Sequence, residues 1–225
     1  MSQRDWLTRL TFAIDSRRMT FASSDPENPR HEVTIDDRDA LQIANGYFTR
    51  LVERIDRRSW DLSTPCTSWS VRDLVRHVID GHARMYAAFL CPPARAEVTA
   101  SGTPDLSLAR ILGAWIGRVS SVIEAPENAS SQVRHHVLGE MSAASYARVR
   151  WIDVMLHSWD LSQAIEVDFR PKPDMTSAAL EWFKLRAPDL AASGAFAPPK
   201  AYPETDVFAL LLSLSGRVHQ PNVAT

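Results

Sequence analysis

In the stretch DVMLHSWDL, Asp153 stands four residues before His157. On a helix the carboxylate and the imidazole would project from one face, about one turn apart. One rigid element would then offer two metal ligands, although the same pair also stabilises an ordinary helix surface. In LVRHVIDGH, His77 lies among apolar residues and Gly81 follows one turn later on nearly the same face. A glycine inside a helix costs about 1 kcal/mol relative to alanine, so it marks close packing or a ligand pocket. If His77 faces Asp153 and His157 across a bundle, two imidazoles and one carboxylate supply three ligands and leave a coordination position open. Zinc would use that position as a Lewis acid, and Fe(II) chemistry can use the same donor set. The plainer alternative is a His77 held by a core hydrogen bond.

Two further residues follow from the same spacing. Arg84, two turns after His77 on the same face, is the candidate for pairing with a substrate carboxylate. Asp160, three residues after His157, can orient a ligand from behind or make a structural hydrogen bond. Trp69 and Trp159 read as packing residues. His82, His135, His136 and His219 are not taken as ligands, and the adjacent His135 and His136 should point apart in regular secondary structure. No residue is assigned as the catalytic one.

The elements that must position these groups are helical. Apolar residues recur at helical spacing in four long stretches, about 38–58, 70–91, 107–123 and 142–165, with little sustained alternation of period two. Asp36 or Asp37 can cap the first, and Ser70 with Asp73 resembles a capping box for the second. Pro92 and Pro93 end the second, and Pro126 closes the third. Four such helices suit a bundle. After a turn at Pro171–Pro173, shorter helices are expected at about 176–186 and 205–215. The expectation is a mostly all-α protein: a four-helix bundle with additional C-terminal helices. Residues 1–35 form an N-terminal extension, a hairpin over Thr11–Ala22 plus loop, followed by one main domain over 36–219 and a tail over 220–225.

Composition narrows the function. With 25 basic and 27 acidic residues, the chain has no field to hold a phosphate backbone, so nucleic acid is not an expected partner. No apolar run approaches the roughly 20 residues of a membrane helix, and charges interrupt the opening too early for a secretory signal. Cys66 and Cys91 make no disulfide framework and read as structural thiols in a reducing compartment, which points to the cytoplasm. The 8 glycines never gather into a phosphate-cradling loop, which disfavours nucleotide-binding enzymes of that kind.

Two segments, LSTPCTSWSVRDLVRHV and DVMLHSWDLSQAI, resemble signature segments of the DinB-like superfamily, and most nearly its mycothiol-dependent maleylpyruvate isomerase-like branch. The pattern resembled is P-T-P-C, two residues, W, then V-R-D-L, two residues, H; Ser63 stands where the first proline is usual. The late GAFAPPKAYPETDVFALLLSLSGR resembles the closing segment, so the likeness covers about residues 36–219. It implies a DinB-like bundle with His77, Asp153 and His157 as metal ligands, Asp153 standing where some relatives carry the longer Glu.

By that resemblance the chain is expected to be a metal-dependent enzyme activating a low-molecular-weight thiol, mycothiol above all, for transfer to or isomerisation of a small electrophile. It would be a thiol-dependent S-transferase or isomerase. The metal implied is one divalent ion, zinc first, with Ni, Fe or Mn as the other choices. Two other functions fit the motifs: metal-assisted biosynthetic chemistry without a thiol, and a non-catalytic metal-dependent interaction protein. A homodimer is compatible with a helical bundle, and no patch in the sequence decides it.

Overall fold

The computed structural model describes residues 35–66, 68–90, 104–192, 200 and 206–218. The hairpin expected over Thr11–Ala22, Cys91, the Pro92–Pro93 stop and His219 lie outside the described residues. The described part is mostly helical, with six α-helices and one two-stranded sheet.

Helix α1, Asp37–Val52, starts where Asp36 accepts the backbone N–H groups of Arg38 and Asp39, satisfying donors that the first turn cannot pair internally. It ends at a cap on Glu53, short of the expected 58, so Ile55 is not helical. Helix α2, Val71–Ala88, opens with a complete capping box: Ser70 accepts from the Asp73 N–H and Asp73 accepts from the Ser70 N–H. Helix α3 spans Asp105–Glu124, and α4 spans Ala143–Ala164 with Ser142 as its cap. Arg72 of α2 forks onto both Asp105 oxygens, at 2.6 and 2.8 Å, and also pairs with Asp61.

These helices lie in the compact unit Ile35–Met175. Its helix pairings close a ring, with α1 against α4, α4 against α2, α2 against α3 and α3 against α1. A closed ring of four packed helices is a four-helix bundle. Phe48, Leu74, Met85, Leu112, Trp151 and Met155, all at 1% exposure or less, form its interior. Helix α4 is the most deeply sunk. It is buried almost all round, polar side chains included, so the single apolar face expected of it understates its burial. Its start is tied to α1 by Asp37, which accepts from Trp151 Nε1 and Arg148 Nε, each at 2.9 Å.

Between α3 and α4 the chain makes a hairpin that the sequence reading did not anticipate, β1 (Gln132–His135) and β2 (Gly139–Ser142), paired antiparallel with Val133 opposite Met141. Its turn ends on Gly139 at φ 79°, a left-handed conformation that costs glycine little. The strands are four residues each, too short to establish a period-two signal. The hairpin packs on α2 and α4.

The second compact unit contains the described residues from Thr176 onward. Helix α5 spans Pro173–Ala192, beginning earlier and ending later than expected, with Pro173 in its first turn, where the missing N–H costs no bond. Helix α6, Val207–Leu214, is capped by Asp206, and the Ser213 carbonyl accepts from Lys200 N at 3.0 Å. No helix among the described residues is long and apolar enough to cross a membrane.

Candidate metal centre

His77 on α2 meets Asp153 and His157 on α4. One ligand atom from each lies within 4.8 Å of the others, a set that can hold a metal ion. The His77 and His157 ring centroids are 4.8 Å apart, nearly edge to face. His157 Nε2 stands 3.3 Å from Asp153 Oδ1, and His77 Nε2 stands 3.8 Å from Asp153 Oδ2. The exposure is graded: 24% for the His77 side chain, 22% for Asp153 and 8% for His157. The cluster is therefore anchored in the core yet open on one side, as a site with a free coordination position requires.

The other nitrogen of His157 is committed. Its Nδ1–H donates to Asp160 Oδ2 at 2.9 Å, and Asp160 is fully buried. That bond fixes the tautomer and ring orientation, leaving Nε2 for a metal. The Cys66 thiol donates to the same Asp160 oxygen at 3.1 Å and lies 3.8 Å from His157 Nδ1. Cys66, His157 and Asp160 thus form a second donor group sharing His157. In it both hydrogens already point at the Asp160 carboxylate, so the group is closed on itself. Cys66 is carried by the turn in which Thr64 Oγ1 accepts from Cys66 N at 3.2 Å and donates to the Trp69 carbonyl at 3.0 Å. The same turn lays Trp69 against both imidazoles, 4.6 Å from His77 and 5.7 Å from His157. Trp69 thus walls the site, whereas Trp159 is core packing as expected.

Asp153 has a partner on its own helix that spacing did not single out. Arg150 Nη1 donates to Asp153 Oδ2 at 2.6 Å, while its Nη2 donates to the Val78 carbonyl of α2 at 2.6 Å and reaches His82 Nδ1 at 3.0 Å. His82 Nδ1 also lies 2.9 Å from the Val78 carbonyl, and its Nε2 lies 2.9 Å from Asn45 Oδ1, so both ring nitrogens are engaged. Gly81 makes room for this guanidinium. A Cβ there would stand 2.8 Å from Arg150 Nη2 and closer still to the rest of the fork. Gly81 therefore marks close packing against Arg150, the first of the two readings its position allowed. An arginine at i−3 from an acid looks like a surface ion pair in sequence, and only its burial at 5% exposure reveals its role.

The electrostatics follow from this wiring. Burial opposes charge on His157, but Asp153 and Asp160 outweigh it and raise its pKa well above 6.5. Burial works against the Asp153 carboxylate too, and His157, His77 and Arg150 overcome it, holding its pKa well below 3.8. Burial lowers His77 to about 4, so it is a neutral imidazole near pH 7.

Profile comparison matches residues 41–162, just over half of the chain, to the family described as the mycothiol maleylpyruvate isomerase N-terminal domain. The chain belongs to this family. The matched span takes in α2, α4 and all three residues of the triad. Among curated proteins, two uncharacterised proteins of Mycobacterium tuberculosis, from strains CDC 1551 / Oshkosh and H37Rv, are each 29% identical over 129 residues. The alignment covers 56% of this chain and 65% of the relatives' own length. No solved structure matches the chain.

For this family member the sequence-derived residues sort as follows. His77, Asp153 and His157 converge, and Asp160 stands behind His157. Of the histidines set aside, His82 is consumed by the Arg150 network. His135 and His136 were expected to point apart, yet their ring centroids are 4.6 Å apart, because His136 lies in the hairpin turn where strand alternation no longer holds. Arg84 lies beside Arg150 and the hairpin, within electrostatic reach of His135, His136 and Tyr146.

Proposed function

We propose that this protein is a metal-dependent enzyme that activates a low-molecular-weight thiol, mycothiol by family membership, for transfer to or isomerisation of a small electrophile in the cytoplasm. One observation carries the reading: His157 has its Nδ1 locked on Asp160 while its Nε2 faces Asp153 beside His77, an arrangement that orients a metal-binding imidazole. The residues fit a divalent ion by donor type, by mutual distance and by partial exposure. Zinc is favoured by the two imidazoles and one carboxylate, with Ni, Fe or Mn as the other choices. When bound, the ion supplies Lewis acidity that favours the thiolate form of a coordinated thiol.

The chain's own groups do the rest. Arg150 holds Asp153 Oδ2 and leaves Oδ1 turned toward His157. Asp160 keeps the proton of His157 on Nδ1. The Trp69 ring covers one side of both imidazoles, shielding them from water.

Metal content of wild type beside His77→Ala, Asp153→Ala and His157→Ala, with folding checked for each, tests the ligand set. Turnover of thiol and electrophile by zinc-loaded protein tests the reaction. One tightly held equivalent in all three variants would refute the triad. The absence of metal-dependent acceleration with mycothiol and a panel of small electrophiles would refute thiol activation.

A further inference from the structure

Beside the triad lies a set of groups that each have a donor to spare. Arg84 has no hydrogen bond or ion pair with the described residues, and its Nε is buried without a partner. A guanidinium keeps its charge in proteins, and leaving one part-buried and unpaired is costly unless an anion joins it. Asp153, whose charge reaches this neighbourhood, is already gripped by Arg150. Tyr146, at 2% exposure, makes no hydrogen bond through its hydroxyl among the described residues.

His135 completes the set. Its Nδ1 accepts the backbone N–H groups of Val137 at 3.1 Å and Leu138 at 3.0 Å. The proton of the neutral ring is therefore on Nε2, ready to donate. The His135 and Tyr146 ring centroids are 4.8 Å apart, and the hairpin carrying His135 packs on α2 and α4, which carry Arg84 and Tyr146. Burial lowers His135 to about 4, so the neutral donor form persists at neutral pH. Burial also raises the Tyr146 hydroxyl, keeping its proton in place.

We infer that Arg84, Tyr146 and His135 form an anion-binding subsite next to the metal centre, which takes a carboxylate of the small substrate. Three donors of different shape, with no carboxylate among them, fit a carboxylate ligand, which accepts several hydrogen bonds at once. The assignment of that carboxylate to a substrate rests on the proposed function; the subsite as an anion site does not. Placing the charge on Arg84, on the same helix as His77, would set the orientation of the electrophile toward the ion.

The test is calorimetric titration of succinate into zinc-loaded wild type, Arg84→Met and Tyr146→Phe, with succinamide as the uncharged control and zinc content measured in each sample. Wild type should bind succinate and not succinamide. Arg84→Met should weaken succinate by about tenfold or more, the loss expected for a charge-assisted hydrogen bond. Tyr146→Phe, which removes a single oxygen, should weaken it less, and both should keep wild-type zinc content. Equal succinate affinity in all three proteins would place the anion on the metal alone and overturn the subsite, as would succinamide binding as tightly as succinate. If wild type holds no zinc, the metal reading fails by itself, and the same titrations without metal decide the subsite by the same comparison.

Discussion

Replacing Gly81 with alanine sets two effects of opposite sign against each other. In an exposed helix interior the change would stabilise by about 1 kcal/mol, the propensity gap between the two residues. At Gly81 the added Cβ would stand 2.5 Å from Arg150 Cζ and 2.8 Å from its Nη2. The guanidinium cannot swing aside freely, because Asp153 and the Val78 carbonyl hold its two ends, each at 2.6 Å. Giving up one of these buried charge-assisted bonds costs about 1.5–3 kcal/mol, and overpacking costs about 1–3 kcal/mol more. The net expectation is a destabilisation of about 1.5–5 kcal/mol after the propensity gain is credited. Urea denaturation at neutral pH measures it. In an Arg150→Met background, with the fork gone, the same Gly81→Ala change should be neutral or stabilising, and the cycle isolates the coupling. A stabilised Gly81→Ala in the wild-type background, or equal effects in both backgrounds, would refute the claim that Gly81 exists to admit Arg150.

Asp160→Asn should lower metal affinity by about 10- to 100-fold without unfolding the bundle, because His157 loses the carboxylate that fixes its tautomer; competition with a chelator measures it. Metal must displace the proton that Asp153 and Asp160 help hold on His157, whose pKa is raised well above 6.5. Metal affinity should therefore rise with pH, by up to about tenfold per unit while His157 remains protonated, and a flat profile from about pH 6 to about pH 8 would contradict the assignment. Burial and the facing Arg150 charge push His82 down to about 3 from 6.5. The unfolded chain then binds the extra proton first, so His82 contributes stability that is lost as pH falls from 6.5 toward 3. Between pH 6.5 and about pH 5 its share is about 2 kcal/mol, and a His82→Gln variant should show an acid-unfolding profile shallower by that amount.

How much of this could be read from the linear chain differs by feature. Helices α1 to α4 were legible because each carries a long apolar stripe, and Asp36, Ser70 and Ser142 cap three of the four. The pairing of Asp153 with His157 was legible because a separation of four residues puts two side chains on one helix face whatever surrounds the helix. His77 was weaker: periodicity places it on a face of α2, but its approach to α4 depends on how the bundle closes, and the motif resemblance supplied that link. Periodicity did not reveal the hairpin, whose strands are shorter than any reliable repeat, so His135 and Tyr146 were not read as neighbours. Nor did it reveal the role of Cys66, which reaches Asp160 from 94 positions away through a turn with its own hydrogen bonds. Arg150 shows the limit most clearly. Its spacing from Asp153 is local, but its burial, its bond to the Val78 carbonyl and its seat over Gly81 exist only where α4 packs on α2. Local spacing determines which groups share a face of one helix. Which groups lose their water, and so which charges must be paired, is decided by the packing of one helix against another.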